Sequence, residues 1–247
     1  MIDLSPRVLI TGATDGVGLL LAQKYATAGG RVLATGRRPL ARSSDVFGDH
    51  DITYIRADQS EPMTAAARIL QAMDSMGWSG CDIAILNAGI GWTGDPGLEP
   101  LQMIDQQIAI NLRAPVQIAH ALAPRLFEAN GQLVMIGSVA HAGAPKFATY
   151  AATKAGLRGF ARSLREEWRG RASVQVLHPG AVRTGMHKKA GLKTGLAGLT
   201  FMRPNRAANA IMAAIQSGVE ETKIGKVYGF RRGWRVPKKV RNWSAVE

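Results

Sequence analysis

A serine, a tyrosine and a lysine share the stretch SVAHAGAPKFATYAATK, residues 138–154. Tyr150 and Lys154 are four positions apart, just over one helical turn, so on a helix they occupy one face. A free phenol titrates near ~10. A cation held close to it favours the phenolate and lowers that value. Such a pair can give or take a proton near neutrality. Ser138 ends the apolar run QLVMIGS, which reads as a buried strand. Its hydroxyl would project from the carboxyl edge of a sheet, where open α/β folds bind their ligands.

The elements that must position these groups lie upstream. The β-branched run RVLIT, residues 7–11, leads into TGATDGVG and then an alanine- and leucine-rich helix. Gly12, Gly16 and Gly18 let the chain turn tightly and approach a ligand without a Cβ in the way. The helix start offers free N–H groups to an anion, here a pyrophosphate. The next strand, RVLATG (31–36), ends where dinucleotide folds meet the adenosine ribose. An acid there would bond the 2′-hydroxyl of NAD. This chain has Gly36 followed by Arg37 and Arg38, and two guanidiniums favour the 2′-phosphate of NADP.

The pattern continues with strand 52–57 ending at Asp58, a helix near 62–76, strand 82–89 and a helix over 101–128 that Pro115 and Pro124 should bend. Strand 132–138, helix 149–170, strand 173–178, a helix from Pro204 and a last strand GKVYGF (225–230) complete it. Strand alternating with helix predicts an α/β fold: one Rossmann-type, doubly wound parallel sheet of about seven strands with helices on both faces. The 247 residues suit a single domain, with 185–217 as substrate lid and helix and 231–247 as a basic tail. No apolar run reaches the length of a membrane span, and the start does not read as a signal peptide. Cys81 is the only cysteine, so no internal disulfide forms, which suits a reducing cytoplasm. It heads an apolar strand and reads as core. His141 and His178 flank the site motifs, but their spacing suggests no metal, and none is expected.

These residues resemble the short-chain dehydrogenase/reductase family over about residues 5–184. TGATDGVG matches its TGxxxGxG turn, Asn87-Ala88-Gly89 its NAG motif, and Pro179-Gly180 its PG motif. The resemblance implies a catalytic tetrad of Asn111, Ser138, Tyr150 and Lys154. It implies cofactor contacts at Thr11, Gly12, Thr14, Asp15, Gly16, Val17 and Gly18, at Arg37, Arg38 and Asp58, and at Asn87, Ala88 and Gly89. Tyr150, Lys154, Pro179, Gly180, Val182 and Thr184 complete that set. Many NADP-using members carry a basic residue where this chain has Asp15, so selection of the 2′-phosphate falls to Arg37 and Arg38. The implied activity is hydride transfer between NADPH and a carbonyl or alcohol. Tyr150 is the proton donor, Ser138 steadies the substrate oxygen, Lys154 holds the nicotinamide ribose, and Asn111 orders a water linking Lys154 to solvent. The family also implies a homodimer or homotetramer built on the helices that carry Asn111 and Tyr150.

Charge is unevenly placed. The chain carries a net +13; residues 1–184 hold 18 basic and 15 acidic side chains, residues 185–247 hold 13 and 3. Residues 185–203 read as a lid whose Lys188, Lys189 and Lys193 either meet an anionic substrate group or keep the lid soluble. The tail RRGWRVPKKVRNW interleaves basic residues with Trp234 and Trp243; it reads as a solvated tail or one packed on a neighbouring subunit, and the pattern also suits an anionic membrane surface. Two other functions fit the same residues: reduction of an acyl thioester on an acidic carrier protein, and nucleotide sensing with little turnover. No nucleic-acid-reading motif accompanies the charge.

Overall fold

The computed structural model describes residues 5–39, 44–183 and 201–225. Thr184, the three lid lysines and the basic tail lie outside the described residues. Seven strands are described: β1 Arg7–Ile10, β2 Arg31–Gly36, β3 Ile52–Arg56, β4 Ile83–Leu86, β5 Gln132–Ile136, β6 Ser173–Pro179 and β7 Glu221–Ile224. All neighbours pair in parallel, in the order β3-β2-β1-β4-β5-β6-β7. The expected doubly wound sheet is therefore present.

The strands read as unbroken apolar runs because both faces of a parallel sheet are covered. Along β1, Val8 and Ile10 face one core while Leu9 faces the other. Along β5, Val134 and Ile136 share the first side, and Leu133 and Met135 the second. Helices α1 (Gly16–Thr27) and α7 (Pro204–Gln216) cover the first face. Helices α3 (Pro62–Ser75), α5 (Ala114–Ala129) and α6 (Ala148–Glu167) cover the second. The short α2 (Ser44–Phe47) fills in beside β2 and β3. Cys81 is fully buried, and burial pushes its thiol up to about 12, an inert core group as expected.

Two elements depart from the sequence reading. The helix expected over 101–128 divides into α4 (Leu101–Ile108), a π-helical turn (Ala109–Arg113) and α5. Pro115 has no N–H to give the carbonyl four residues back, which belongs to Asn111. The helix widens there, and the Ala114 N–H reaches the Ala109 carbonyl, five residues back. Pro124 is absorbed inside α5. The last described strand is ETKI rather than GKVYGF; residues 226–230 of the expected strand lie outside the described residues. β7 is an edge strand beside β6, so it does not need the apolar run that marks a central strand.

Candidate active site

Strand order reverses between β1 and β4, and ligands in such sheets bind at the carboxyl edge beside that reversal. A cavity of about 790 Å³ opens there. It is floored by the turn after β1, the ends of β4, β5 and β6, and the first turns of α6.

The glycine turn is packed too closely for side chains. Gly12 has φ +64°, and a Cβ on it would lie 2.7 Å from the Ala88 Cα. A Cβ on Gly18 would lie 2.3 Å from the Gly12 oxygen and 2.5 Å from Asn87 Nδ2. Helix α1 opens at Gly16 without an acidic residue in its first turn. Its first N–H groups have no intrahelical partner, and they suit an anion. Thr11 does not line the cavity. Buried behind it, its hydroxyl accepts from the Asn87 and Ala88 N–H groups at 3.0 and 3.2 Å. Asn87 Nδ2 in turn donates to the carbonyls of Thr11 and Gly12. The turn after β1 and the end of β4 are thereby fastened together.

The ribose end has the expected absence of an acid, and the packing explains it. A Cβ on Gly36 would meet Thr14 Cγ2 at 2.8 Å and the Tyr54 hydroxyl at 3.1 Å. The two arginines divide. Arg37 lines the cavity, whereas the Arg38 guanidinium donates to the Thr14 carbonyl at 2.8 Å and braces the turn from outside. Asp58 lines the cavity, and its Oδ1 accepts from the Ser60 N–H and hydroxyl. Thr14, Asp15, Val17, Ala88, Gly89, Pro179, Gly180 and Val182 also line it. Thr184 is not among the described residues. A cradle that a Cβ would fill, a helix start, an acid and a guanidinium suit a nicotinamide dinucleotide.

At the other end, Ser138, Tyr150 and Lys154 converge. Ser138 caps a short 3₁₀ turn (Val139–Ala142), its Oγ accepting from the Ala140 N–H at 3.2 Å. Its own proton is free to donate to the Tyr150 phenol, a hydrogen bond that favours the phenolate. Lys154 is 3% exposed, and its Nζ donates to the Ile136 carbonyl at 2.9 Å. That Nζ lies 5.7 Å from the centre of the Tyr150 ring. The expected lowering of the phenol by Lys154 is not the dominant effect. Burial raises Tyr150 above its ordinary value, with the Ser138 bond opposing it. Burial also lowers Lys154 to about 8. Thr149, next to Tyr150, donates to Glu99 Oε2 at 2.7 Å, and Gln107 bonds the other Glu99 oxygen. The start of α6 is thus tied to the loop before α4.

Asn111 stands behind the cavity, fully buried. Its Nδ2 donates to the Ile90 carbonyl at 2.9 Å and to Thr153 Oγ1 at 3.2 Å. Both amide hydrogens are thereby committed, one to the backbone and one to the Thr153 hydroxyl. The Asn111 main-chain carbonyl receives no α-helical hydrogen bond from Pro115, which has no N–H.

Sequence reasoning missed the walls around Ser138 and Tyr150. Ile90, Met103, Val139, Ala140, Phe147 and Phe201 make an apolar lining there. They come from segments that no shared motif or period connects. It also missed that His141, His178 and Glu221 meet, because only the parallel pairing of β5, β6 and β7 brings them together. Among the described residues, no helix is long and apolar enough to cross a membrane.

The short chain dehydrogenase profile matches residues 6–194. A serine 3-dehydrogenase of Rhizobium radiobacter is 31% identical over 202 residues, 76% of this chain and 79% of that protein. An NADP-dependent 3-hydroxy acid dehydrogenase of Escherichia coli O6:H1 is 33% identical over 183 residues, 71% of this chain and 72% of that one. The solved closed form of serine dehydrogenase complexed with NADP+ superposes with a TM-score of 0.79 at 25% identity, covering 94% of this chain and 99% of that one. A profile spanning most of the chain, on a fold that carries its motifs at one sheet edge, places this protein in the short chain dehydrogenase family, as an NAD(P)-dependent oxidoreductase working between CH–OH and C=O.

Proposed function

We propose that the protein interconverts a carbonyl and an alcohol with NADPH as its preferred cofactor and Tyr150 as the acid. The observation that carries this reading is that Ser138, Tyr150 and Lys154 line the same cavity as the glycine turn. When bound, the nicotinamide supplies the hydride. Tyr150 gives its proton to the substrate oxygen as charge develops there. Ser138 donates a hydrogen bond to that oxygen and stabilises it. Lys154 has donors beyond the one held by Ile136, and these meet the nicotinamide ribose hydroxyls. Arg37, at the ribose end, pairs with the 2′-phosphate. The NADP-bound solved relative and the NADP-dependent curated relative support that preference. The apolar wall beside Tyr150 suits a substrate whose carbonyl is carried on a largely apolar skeleton.

The protein is expected to act as a homo-oligomer. Leu101 and Ile108 on α4 are 79% and 44% exposed, an apolar surface of the kind a second copy covers. The test of function is oxidation of NADPH and of NADH, followed optically, across a panel of aliphatic, aromatic and cyclic ketones. Turnover with at least one apolar ketone, faster with NADPH, is the expected result. Tight NADPH binding with no turnover across the panel would convert the reading to nucleotide sensing.

A further inference from the structure

Away from the cavity, three potential metal donors meet on the α6 side of the sheet. His141 comes from the 3₁₀ turn capped by Ser138, His178 from the end of β6, and Glu221 from the start of β7. One ligand atom from each lies within 4.8 Å of the other two. The imidazole centres of His141 and His178 are 4.1 Å apart. His178 Nε2 and Glu221 Oε1 are 3.2 Å apart. That separation is close to the edge of a tetrahedron whose corners lie about 2.0–2.2 Å from a central zinc ion.

The cluster is not complete as it stands. His141 Nε2 is buried and has no hydrogen-bond partner. A buried polar nitrogen is rarely left so, and an ion is one of the things that accounts for it. Glu221 is a quarter exposed, which gives an ion a way in. One cation already competes for it: Arg158 Nε bonds Glu221 Oε1 at 2.5 Å.

We infer that His141, His178 and Glu221 form a binding site for a borderline divalent transition-metal ion such as zinc, with water in the fourth position. Two imidazoles and one carboxylate suit zinc and its neighbours rather than magnesium or calcium, which prefer all-oxygen shells. Filling the site would fasten the turn that carries Ser138 to the end of β6, just before Pro179 and Gly180. Arg158 would yield part of its hold on the carboxylate. The site does not depend on which substrate the cavity takes.

The experiment uses the full chain, freed of metal by dialysis against EDTA and titrated with zinc chloride by calorimetry. Cobalt(II) provides the visible spectrum. Wild type is expected to bind one equivalent of zinc and to show the ligand-field bands of a tetrahedral cobalt site. His141→Ala and Glu221→Gln should each weaken zinc by more than the roughly 10–100-fold that losing an outer-shell partner costs. His141 is only partly buried, and circular dichroism verifies that its variant folds. Arg158→Met removes the competitor and should tighten zinc severalfold. Replacing His50, His120 and His187 together should leave the affinity as it was. No stoichiometric zinc in wild type overturns the site, as does binding that survives His141→Ala or depends on the other three histidines. A weaker affinity in Arg158→Met removes Glu221 from the ligand set and overturns it too.

Discussion

Asn111 clamps both main-chain polar groups of Ile90: its Nδ2 donates to the Ile90 carbonyl and its Oδ1 accepts from the Ile90 N–H, each at 2.9 Å. The pair joins the π turn to the loop that leaves β4, and through Thr153 it also joins α6, whose Tyr150 carbonyl accepts from the Thr153 hydroxyl. Asn111→Ala orphans a part-buried donor and a part-buried acceptor, at up to roughly 1–3 kcal/mol for each. Asn111→Asp keeps the acceptor and loses the donor, so its loss of stability should fall between wild type and Asn111→Ala. Urea denaturation of the three proteins tests the order. Equal stability of Asn111→Ala and wild type would show that the clamp does not hold the loop.

Tyr150 and Ser138 should separate chemistry from binding. Tyr150→Phe removes one oxygen from a buried ring and leaves the rest of the wall in place. Carbonyl reduction should fall by the ~10²–10⁴-fold typical of a lost acid, while NADPH affinity, read by fluorescence, stays within a few-fold. Ser138→Ala should lower turnover as well if the proposed function holds, because it removes the hydroxyl proposed to stabilise the substrate oxygen. A Tyr150→Phe enzyme with wild-type turnover would show that another group delivers the proton.

The two arginines after β2 are predicted to differ although they are adjacent. Arg37 lines the cavity, so Arg37→Ser should weaken NADPH by about 10–100-fold, the worth of one charge-assisted contact, and leave NADH nearly unchanged. Arg38 holds the Thr14 carbonyl, so Arg38→Ser loosens the glycine turn and should weaken both cofactors alike. Michaelis constants for NADPH and NADH in each variant decide it. An Arg37→Ser enzyme that keeps its NADPH preference would move the selection elsewhere.

What could be read from sequence was whatever a short segment decides by itself. The glycine turn is recognised from its own spacing between a strand and a helix, although Gly12 is demanded by the distant Ala88 and Gly18 by the Gly12 carbonyl together with the Asn87 side chain. The strands of the central sheet were legible because β1, β4 and β5 are apolar on both faces. The π turn was not, since it depends on Pro115 and on Asn111 reaching a loop 21 residues away. β7 was misplaced because ETKI has no apolar signal of its own. The sign of the Tyr150 shift was hidden for a different reason: spacing shows that a cation is near, but only the packed structure shows how much water both groups have lost.

That loss of water makes Lys154 a cost to the fold. Burial takes its pKa from 10.5 down to about 8. Below about pH 8 both folded and unfolded chains hold the proton, and the folded state bears the full penalty of a buried ammonium. Between about pH 8 and 10.5 the unfolded chain binds more protons than the folded one at this site, so this contribution makes stability rise with pH. Lys154→Met removes the charge and keeps the length. At about pH 7 it should be more stable than wild type by something on the order of 3 kcal/mol, at one pKa unit to 1.36 kcal/mol, while losing activity. By about pH 9.5 the gap should have narrowed, since wild-type Lys154 is then largely neutral when folded. Paired urea titrations at the two pH values measure it. A gap that stays constant, or a variant less stable than wild type at neutral pH, would mean that Lys154 keeps its charge in the folded protein with compensation from its surroundings.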